Sequence, residues 1–599
     1  MHSSRSLATP PTQNNHGGAH GTAQSVSQPV NPSAQPNTAH TRISDIQPTA
    51  APAIPYRPDL ADTETLRTQH RNLTAVMIQL HYLTQAFHID RWFNSAIAGD
   101  TSALLGIEDV YSIPVNQRNA DGNTALILAG RNGHTEAVSA LVNQLNADPN
   151  VIVRHSTMSP LMEAAMNGAR GVVGALLQAP TIHVHQSNLF DQTALSLACR
   201  EGHLEIFNDL LQAAPIDLNQ ENSSGETLLF TAAEHGHLPI VRALLNHHGV
   251  DPFPYSLDGG NPFMAAAANG HVAVLQELMP LYRNHINTMD EQGDTALTHA
   301  ASNGQTQAVI ALMNVDGVHI NHRNVDGATP LMAAAGAGEL TTVNALLADP
   351  RTLINAVDEY GDTALIYAAC SGATNIVRQL LQNPTINTDQ INTGGYNALL
   401  SAVKYNHRDT VQALLDHPTI DANQPDGLES HTPLMIGILQ NQAPITTTLL
   451  AHDGLDVNAR DIHGRTALFH AVDRGDHQTV QRLLQHNALN INLPNEQGDT
   501  PLMMAIRPGI PDITNDLLTS VHHTVAVNQT NRQGNSALHL AAAQGNVKFV
   551  QTLLNAGANP ELRNRNGDTP LSVAAQHETA RHQACTFILL RAAPPVIQP

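Results

Sequence analysis

The sequence predicts an all-α solenoid of about 14–15 stacked helix-turn-helix units. A residue able to cap a helix recurs every 33 to 36 residues, and each recurrence opens a similar run of small and apolar residues. Aromatic residues make up only 3% of the chain although 42% is hydrophobic, which suits thin helical layers better than one large globular core. The capping positions are Thr124, Ser159, Thr193, Thr227, Asn261, Thr295, Thr329, Thr363, Asn397, Thr432, Thr466, Thr500, Ser536 and Thr569.

The N-terminal segment 1–57 differs from the rest of the chain. It is rich in Ser, Pro, Gln, Thr, Asn, Ala and His and has few large apolar residues. Such a composition cannot bury enough surface to offset the entropy of ordering, so a disordered tail is predicted. The segment lacks the apolar stretch of a Sec signal peptide. A disordered export signal of another kind is an alternative role for it.

An amphipathic helix is predicted over residues 58–89. Leu66, Leu73, Leu80 and Phe87 recur every seven residues along it. The stripe covers about three heptads without flanking charge pairs, so a cap over the open end of the first repeat is favoured over a coiled-coil partner site.

The repeats are predicted to begin just after this helix, with a degenerate unit that opens at Asp90. Trp92, Ala96 and Gly99 stand there at the spacing found in the later units. The repeat array is therefore predicted to span residues 90–593, and residues 594–599 form a short C-terminal tail.

The unit that opens at Thr363 illustrates the local chemistry. Turn-forming residues precede Thr363, which stands at the N-cap position of a short helix rich in alanine. Gly372 ends that helix, and paired apolar residues at helical spacing then predict a second helix. Pro384 stops the second helix and leads into the next turn. Each unit is therefore predicted to be turn, helix, turn, helix and loop.

This pattern resembles the ankyrin repeat family. The residues that carry the resemblance include Thr329-Pro330-Leu331 with Ala334-Ala335, and Ser536-Ala537-Leu538-His539 with Ala541-Ala542, Gly545 and Leu553-Leu554. The resemblance implies an all-α solenoid with projecting β-hairpin-like fingers and a concave groove. It also implies a non-catalytic scaffold that binds a partner protein through that groove and those fingers.

Two units depart from the family pattern. Gly437-Ile438 replaces the usual alanine pair in the unit that opens at Thr432. Pro508 and Pro511 flank the turn between the helices of the unit that opens at Thr500. Because each repeat is stabilised by its neighbours, the array is predicted to be weakest there.

Charge narrows the class of partner. The formal net charge is −22, which argues against a nucleic-acid surface and favours a basic protein partner. Lysine is nearly absent, since Lys404 and Lys548 are the only two among 29 basic residues. Compositional drift explains this scarcity, and the alternative is avoidance of lysine modification in a foreign eukaryotic cytoplasm.

Residues for catalysis or metal binding do not form a recognisable motif. The three cysteines are far apart, and no phosphate-binding loop, dinucleotide fingerprint or nucleophile elbow occurs. The histidine pairs at 183/185, 247/248 and 522/523 lack a third ligand at metal spacing, so solvated loop histidines are expected. No cofactor and no metal are therefore predicted, and an enzyme with loop-built catalysis is the least favoured alternative.

A contact patch is predicted in the units that open at Thr363 and Asn397. In the family, variable exposed positions lie in the fingers and just before the glycine between the helices. Carried over to this chain, these positions hold Tyr360, Asp362, Tyr396, Lys404 and Tyr405. Tyrosine offers a large contact area with few rotors to freeze, so these five residues are predicted to bind the partner.

The setting is predicted from absences in the sequence. No segment is apolar and long enough to span a membrane, and the cysteines do not form a disulfide framework. A cytoplasmic monomer is therefore expected. The alternative is a bacterial effector secreted into a host cell, with residues 1–57 as its export signal.

Overall fold

The computed structural model describes residues 63–111, 113–152 and 157–592, with side chains from residue 68. The tails predicted at 1–57 and 594–599 lie outside the described residues. Within these ranges the chain is helical and contains no β-strand. Among the helices described, none combines the length and apolar character that crossing a bilayer requires.

The described residues form helix pairs that stack in two layers. The first helices of the pairs are α1 (Thr63–Ala98), α3 (Ala125–Arg131), α5 (Pro160–Met166), α7 (Ala194–Glu201), α9 (Leu228–Glu234), α11 (Pro262–Ala268), α13 (Ala296–Ser302), α15 (Pro330–Ala337), α17 (Ala364–Ser371), α19 (Ala398–Lys404), α21 (Pro433–Leu439), α23 (Ala467–Asp473), α25 (Pro501–Ile506), α27 (Ala537–Ala543) and α29 (Pro570–Ala575). Consecutive first helices pack against one another, as do consecutive second helices from α2 to α26, and α28 packs against α30. The predicted solenoid is confirmed.

The second helices have the following bounds. They are α2 (Thr101–Tyr111), α4 (Thr135–Asn143), α6 (Arg170–Leu177), α8 (Leu204–Ala213), α10 (Leu238–Leu245), α12 (Val272–Tyr282), α14 (Thr306–Met313), α16 (Leu340–Leu347), α18 (Thr374–Leu381), α20 (Arg408–Leu415), α22 (Ala443–Leu450), α24 (His477–Leu484), α26 (Pro511–Thr519), α28 (Val547–Asn555) and α30 (Ala580–Ala592). A short 3₁₀ turn, Arg283–His285, follows α12.

The predicted capping residues begin the first helices. Thr363, for example, has an extended backbone, and its Oγ1 accepts a hydrogen bond from the Ile366 N–H at 3.3 Å. Each such bond satisfies one of the N–H groups that a helix start leaves without a partner. The register inferred from the cap positions is therefore the register of the fold.

One hydrophobic core runs along the array. It is contributed by both helix layers and extends from Trp92 to Leu589. The alanine pairs at 334/335 and 368/369 are fully buried between α15 and α17. Small side chains at these positions let neighbouring helices approach closely, so each unit is stabilised by the next.

The fingers are closed turns rather than strands. In the finger 358–362, the Asp358 N–H donates to the Asp362 carbonyl oxygen at 3.0 Å. Neighbouring fingers are joined at their tips, where the Thr393 N–H donates to the Tyr360 carbonyl oxygen at 2.7 Å. In the described chain, β pairing is limited to one isolated bridge between Thr530 and Ser536.

The helix predicted as a cap does not cover the first repeat. It forms, but it continues without a break into the first unit as the single helix α1. Leu73, Leu80 and Phe87 are exposed, whereas Trp92 on the same helix is fully buried. Because no turn residue interrupts α1, its N-terminal part projects beyond the array instead of folding back over it.

The departures from the repeat pattern are accommodated locally. Asn406 stands where glycine is usual and adopts the left-handed conformation itself, with φ of 63°. Pro508 follows the short helix α25, and Pro511 occupies the first turn of α26, where proline is tolerated. The predicted weakness of this region stays a prediction.

Candidate partner-binding surface

The five predicted contact residues lie on two adjacent units, and we call them the tyrosine–lysine patch. Tyr360 and Asp362 belong to the finger before α17, and Tyr396 belongs to the finger before α19. Lys404 is the last residue of α19 and Tyr405 is its C-cap. The 34-residue spacing of the caps Thr363 and Asn397 thus places finger and helix-end residues of neighbouring units side by side.

Lys404 lies between two tyrosine rings. Its Nζ is 4.2 Å from the centroid of the Tyr396 ring and 5.7 Å from that of Tyr405. A cation over an aromatic face is attracted by the ring quadrupole, by about 0.5–1 kcal/mol at a solvent-exposed site. The attraction holds the long lysine side chain in place, so the patch presents a preformed cationic and aromatic surface.

Asp362 supplies the acidic side of the patch. Its Oδ1 accepts a hydrogen bond from Asn392 Nδ2 at 2.8 Å, which links it to the next finger. Burial raises the pKa of Asp362 to about 6, with a further contribution from the Asp358 charge, while the Asn392 bond and Lys404 oppose the rise. The carboxyl group therefore changes its charge just below neutral pH.

The five residues differ in exposure. Tyr360 is 47% exposed and Tyr405 is 39% exposed, as expected for contact positions. Tyr396 and Lys404 are half-buried, and Tyr396 packs against the core. The expectation that all five side chains are exposed is therefore wrong for Tyr396, because its finger packs against the neighbouring units.

Tyr360 stands apart from the other tyrosines. Among the described residues its ring is neither stacked on another ring nor placed under a cation. Its backbone carbonyl is the acceptor that joins the two fingers of the patch. The structure thus brings Tyr396, Lys404 and Tyr405 together as a cluster, with Tyr360 at the finger tip.

Cys370 lies next to the patch, in the last turn of α17. Its carbonyl oxygen accepts a hydrogen bond from His407 Nε2 at 2.9 Å, which ties α17 to the following unit. A side chain at Gly372, which has φ of 73°, would collide with that imidazole ring. Burial raises the pKa of the Cys370 thiol to about 11, which disfavours the reactive thiolate at neutral pH.

A cluster of titratable side chains that was not predicted from the sequence lies on the two units that follow the patch. His431, Asp461 and His470 bring nitrogen and oxygen atoms within 4.8 Å of one another. Asp461 and His470 are nine residues apart, but His431 lies 30 residues before Asp461, so the three do not form a compact ligand motif. Their positions in the 34-residue register were the signal that could have located them.

Comparison with curated proteins finds relatives that share part of the chain. This chain is 33% identical over 120 residues to the mouse B-cell lymphoma 3 protein homolog. The match covers 20% of this chain and 26% of that protein. The chain is 32% identical over 163 residues to human ankyrin repeat domain-containing protein 63, covering 26% of this chain and 43% of the relative. Human neurogenic locus notch homolog protein 1 matches over 119 residues at 34% identity, covering 20% of this chain and 4% of the relative.

These relatives are matched over less than half of their own lengths. Among solved structures, the crystal structure of EF0377, an ankyrin repeat protein, has 24% sequence identity and a TM-score of 0.29. It covers 32% of this chain and 96% of EF0377.

A family model settles the classification. The model described as ankyrin repeats in three copies matches residues 101–188, 181–256, 263–353, 315–392, 350–426, 386–461, 434–531 and 511–597. These matches cover most of the chain and coincide with the helix pairs of the structure. The chain therefore belongs to the ankyrin-repeat family.

Proposed function

We propose that this protein is a non-catalytic scaffold that binds a partner protein through the tyrosine–lysine patch. Ankyrin repeats are a protein-interaction fold, and a fold alone does not name a ligand. The observation that carries the proposal is Lys404 held between Tyr396 and Tyr405 on an accessible surface. Rigid aromatic side chains bind with little loss of conformational entropy, so such a cluster favours a protein contact.

The charge of the chain indicates the chemistry of the partner. The net charge of −22 attracts a basic surface over distances of about 10 Å at moderate salt. Asp362 at the edge of the patch can accept a hydrogen bond from an arginine or a lysine of the partner. We therefore propose a basic partner protein that binds one monomer of this chain.

The test is affinity capture with the intact array, followed by binding measurements on the captured partner. Tyr360→Ala and Tyr405→Ala should each weaken binding by at least about 1 kcal/mol, or roughly fivefold, without lowering the melting temperature. Tyr396→Ala should weaken binding and also lower the melting temperature, because Tyr396 packs against the core.

A matched control is available in another unit. Tyr255 is 47% exposed, the same fraction as Tyr360, and lies beside a finger outside the patch. Tyr255→Ala should leave binding unchanged. If Tyr360→Ala and Tyr405→Ala bind the partner as Tyr255→Ala does, the patch is not the binding surface.

A second candidate function is that of a bacterial effector secreted into a host cell. The scarcity of lysine favours it, since only two of 29 basic residues can be ubiquitinated. In this proposal residues 1–57 carry the export signal, whereas a resident cytoplasmic scaffold needs none. A reporter fused to residues 1–57 should be exported by a bacterial secretion system, and retention of the reporter would exclude this role.

A further inference from the structure

Two contacts recur along the array and place side chains in register. The first links the opening residue of a finger to the residue nine positions later, on the first helix. In three fingers that open with aspartate, its Oδ2 meets an imidazole or phenol group at that position, whereas Asp426, which opens a finger one residue longer, has Met435 there. The pairs are Asp290 with His299 at 2.7 Å, Asp358 with Tyr367 at 2.9 Å and Asp461 with His470 at 2.9 Å.

The second contact links neighbouring units. The residue just before a cap faces the opening residue of the next finger. Four such pairs are hydrogen-bonded between side chains: Asp294 with Asn324 at 3.0 Å, Asp362 with Asn392 at 2.8 Å, Asp499 with Asn531 at 2.7 Å and Asn535 with Asn564 at 2.9 Å. His431 precedes the cap Thr432, so this rule directs it toward Asp461.

Both contacts meet at Asp461. Its Oδ2 lies 2.9 Å from His470 Nε2 and 3.8 Å from His431 Nε2. The Asp461 side chain is fully buried, and His470 is nearly so. His431 Nε2 is buried and has no hydrogen-bond partner. A buried imidazole nitrogen without a partner is costly, so a group that binds this nitrogen would stabilise the fold.

We propose that His431, Asp461 and His470 bind a divalent transition-metal ion of the Zn²⁺ class. Two imidazoles and one carboxylate are a donor set suited to such ions, with water as the fourth ligand. In a tetrahedral Zn²⁺ site, neighbouring donor atoms are roughly 3.3 Å apart. The separations of 2.9 and 3.8 Å between Asp461 Oδ2 and the two imidazole nitrogens lie on either side of that value, and all three donor atoms lie within 4.8 Å of one another.

The surroundings orient the donors. Asp426 Oδ2 lies 3.7 Å from His431 Nδ1, so it favours a proton on that nitrogen and leaves Nε2 to bind the metal. Asp461 Oδ1 accepts the backbone N–H groups of His463 and Arg465 at 2.9 and 2.8 Å, which fixes the carboxylate. Metal ligands held in this way by outer hydrogen bonds bind more tightly.

One contact opposes the metal. Arg465 Nε donates to Asp461 Oδ2 at 3.0 Å, and its positive charge repels a cation at the site. The Arg465 side chain is 31% exposed, so it has access to water when it leaves this oxygen. Metal binding is therefore expected to compete with Arg465, and removing the guanidinium should strengthen it.

The site would join two repeats. His431 belongs to the unit capped by Thr432, whereas Asp461 and His470 belong to the next unit. The first of these units lacks the alanine pair and has Gly437 in its place. A bound ion would thus stabilise the array at a unit whose helix packing departs from the family pattern.

The experiment is a Zn²⁺ titration of the full chain in competition with a chromophoric chelator, which separates a tight site from weak binding by the other histidines. His431→Gln should weaken the tight site by about tenfold or more. His299→Gln is the matched control, because His299 pairs with Asp290 at the same register but has Gly260 where the third donor would be. It should leave the tight site unchanged.

Arg465→Gln provides a test that unfolding cannot imitate, since it should tighten Zn²⁺ binding. Equal affinity of the His431→Gln and His299→Gln variants would overturn the proposal. If circular dichroism shows that His431→Gln is unfolded, Arg465→Gln decides, and an unchanged or weaker affinity for Zn²⁺ overturns the proposal.

Discussion

The ion pair between Arg131 and Glu163 offers a sharp test of how neighbouring repeats hold together. Arg131 ends α3 and Glu163 lies in the first turn of α5. Arg131 Nε donates to Glu163 Oε2 at 2.8 Å, and Nη2 donates to Oε1 at 2.6 Å. Only 7% of the Glu163 side chain is exposed, so Arg131→Ala would leave a nearly buried carboxylate without its partner.

The magnitude follows from these contacts. A hydrogen bond to a charged group contributes about 1.5–3 kcal/mol, and breaking a fully buried ion pair costs about 3–5 kcal/mol. The Arg131 side chain is 37% exposed, so solvent screening reduces the cost. We expect Arg131→Ala to lower the free energy of unfolding of the N-terminal repeats by about 2 kcal/mol.

Tryptophan fluorescence provides the assay. Trp92 is the only tryptophan in the chain and is fully buried in α1, which packs against α3. Its emission during urea unfolding therefore reports on the repeats that contain the ion pair. With an m-value of about 2 kcal/mol/M, the urea midpoint should fall by about 1 M.

Two variants make the result interpretable. Arg170 and Asp209 also pair across neighbouring units, at 2.7 Å, but the Arg170 side chain is 59% exposed. Arg170→Ala should leave the urea midpoint unchanged. Replacing both Arg131 and Glu163 by methionine should recover most of the loss, because no buried charge is then left alone. A midpoint for Arg131→Ala equal to that of Arg170→Ala would refute this reasoning.

Three further predictions concern other parts of the array. With a chelator present to remove any bound metal, backbone amide hydrogen exchange should be faster across residues 430–515 than across residues 290–390. Equal protection of both segments would contradict the predicted low stability of the repeat that contains Gly437. Burial raises the pKa of Asp362 to about 6, so ionisation of this carboxyl group at pH 7 destabilises the folded state. Asp362→Asn should therefore raise the urea midpoint of unfolding at pH 7 but not at pH 4. Iodoacetamide should label Cys370 slowly at pH 8, because its thiol pKa is about 11, and rapid labelling would contradict its packing role.

Much of the fold could be predicted because its determinants are local. A side chain such as that of Thr363 caps a helix through an atom three residues away, so sequence spacing is sufficient to find it. The exposed stripe of α1 could not be foreseen. An amphipathic pattern shows that one face is apolar, but it does not show whether the chain turns back to bury that face.

The contact surfaces could be predicted only in part. The repeat pattern places Tyr396 in a finger and Lys404 and Tyr405 at the end of the helix that follows it, but their exposure or half-burial depends on contacts with neighbouring units. The cluster of His431, Asp461 and His470 depends on two contacts at once, one within a unit and one between units. A cluster that combines these two contacts cannot be found from any single stretch of sequence, since ligand motifs are recognised from fixed local spacings.

The most direct test of the central claim is hydroxyl-radical footprinting of the tyrosines in the complex with the captured partner. We expect Tyr360 and Tyr405 to be protected from oxidation when the partner is bound, while Tyr255 reacts as it does in the free protein. Protection of Tyr255 without protection of Tyr360 and Tyr405 would contradict the claim that this scaffold binds through the tyrosine–lysine patch.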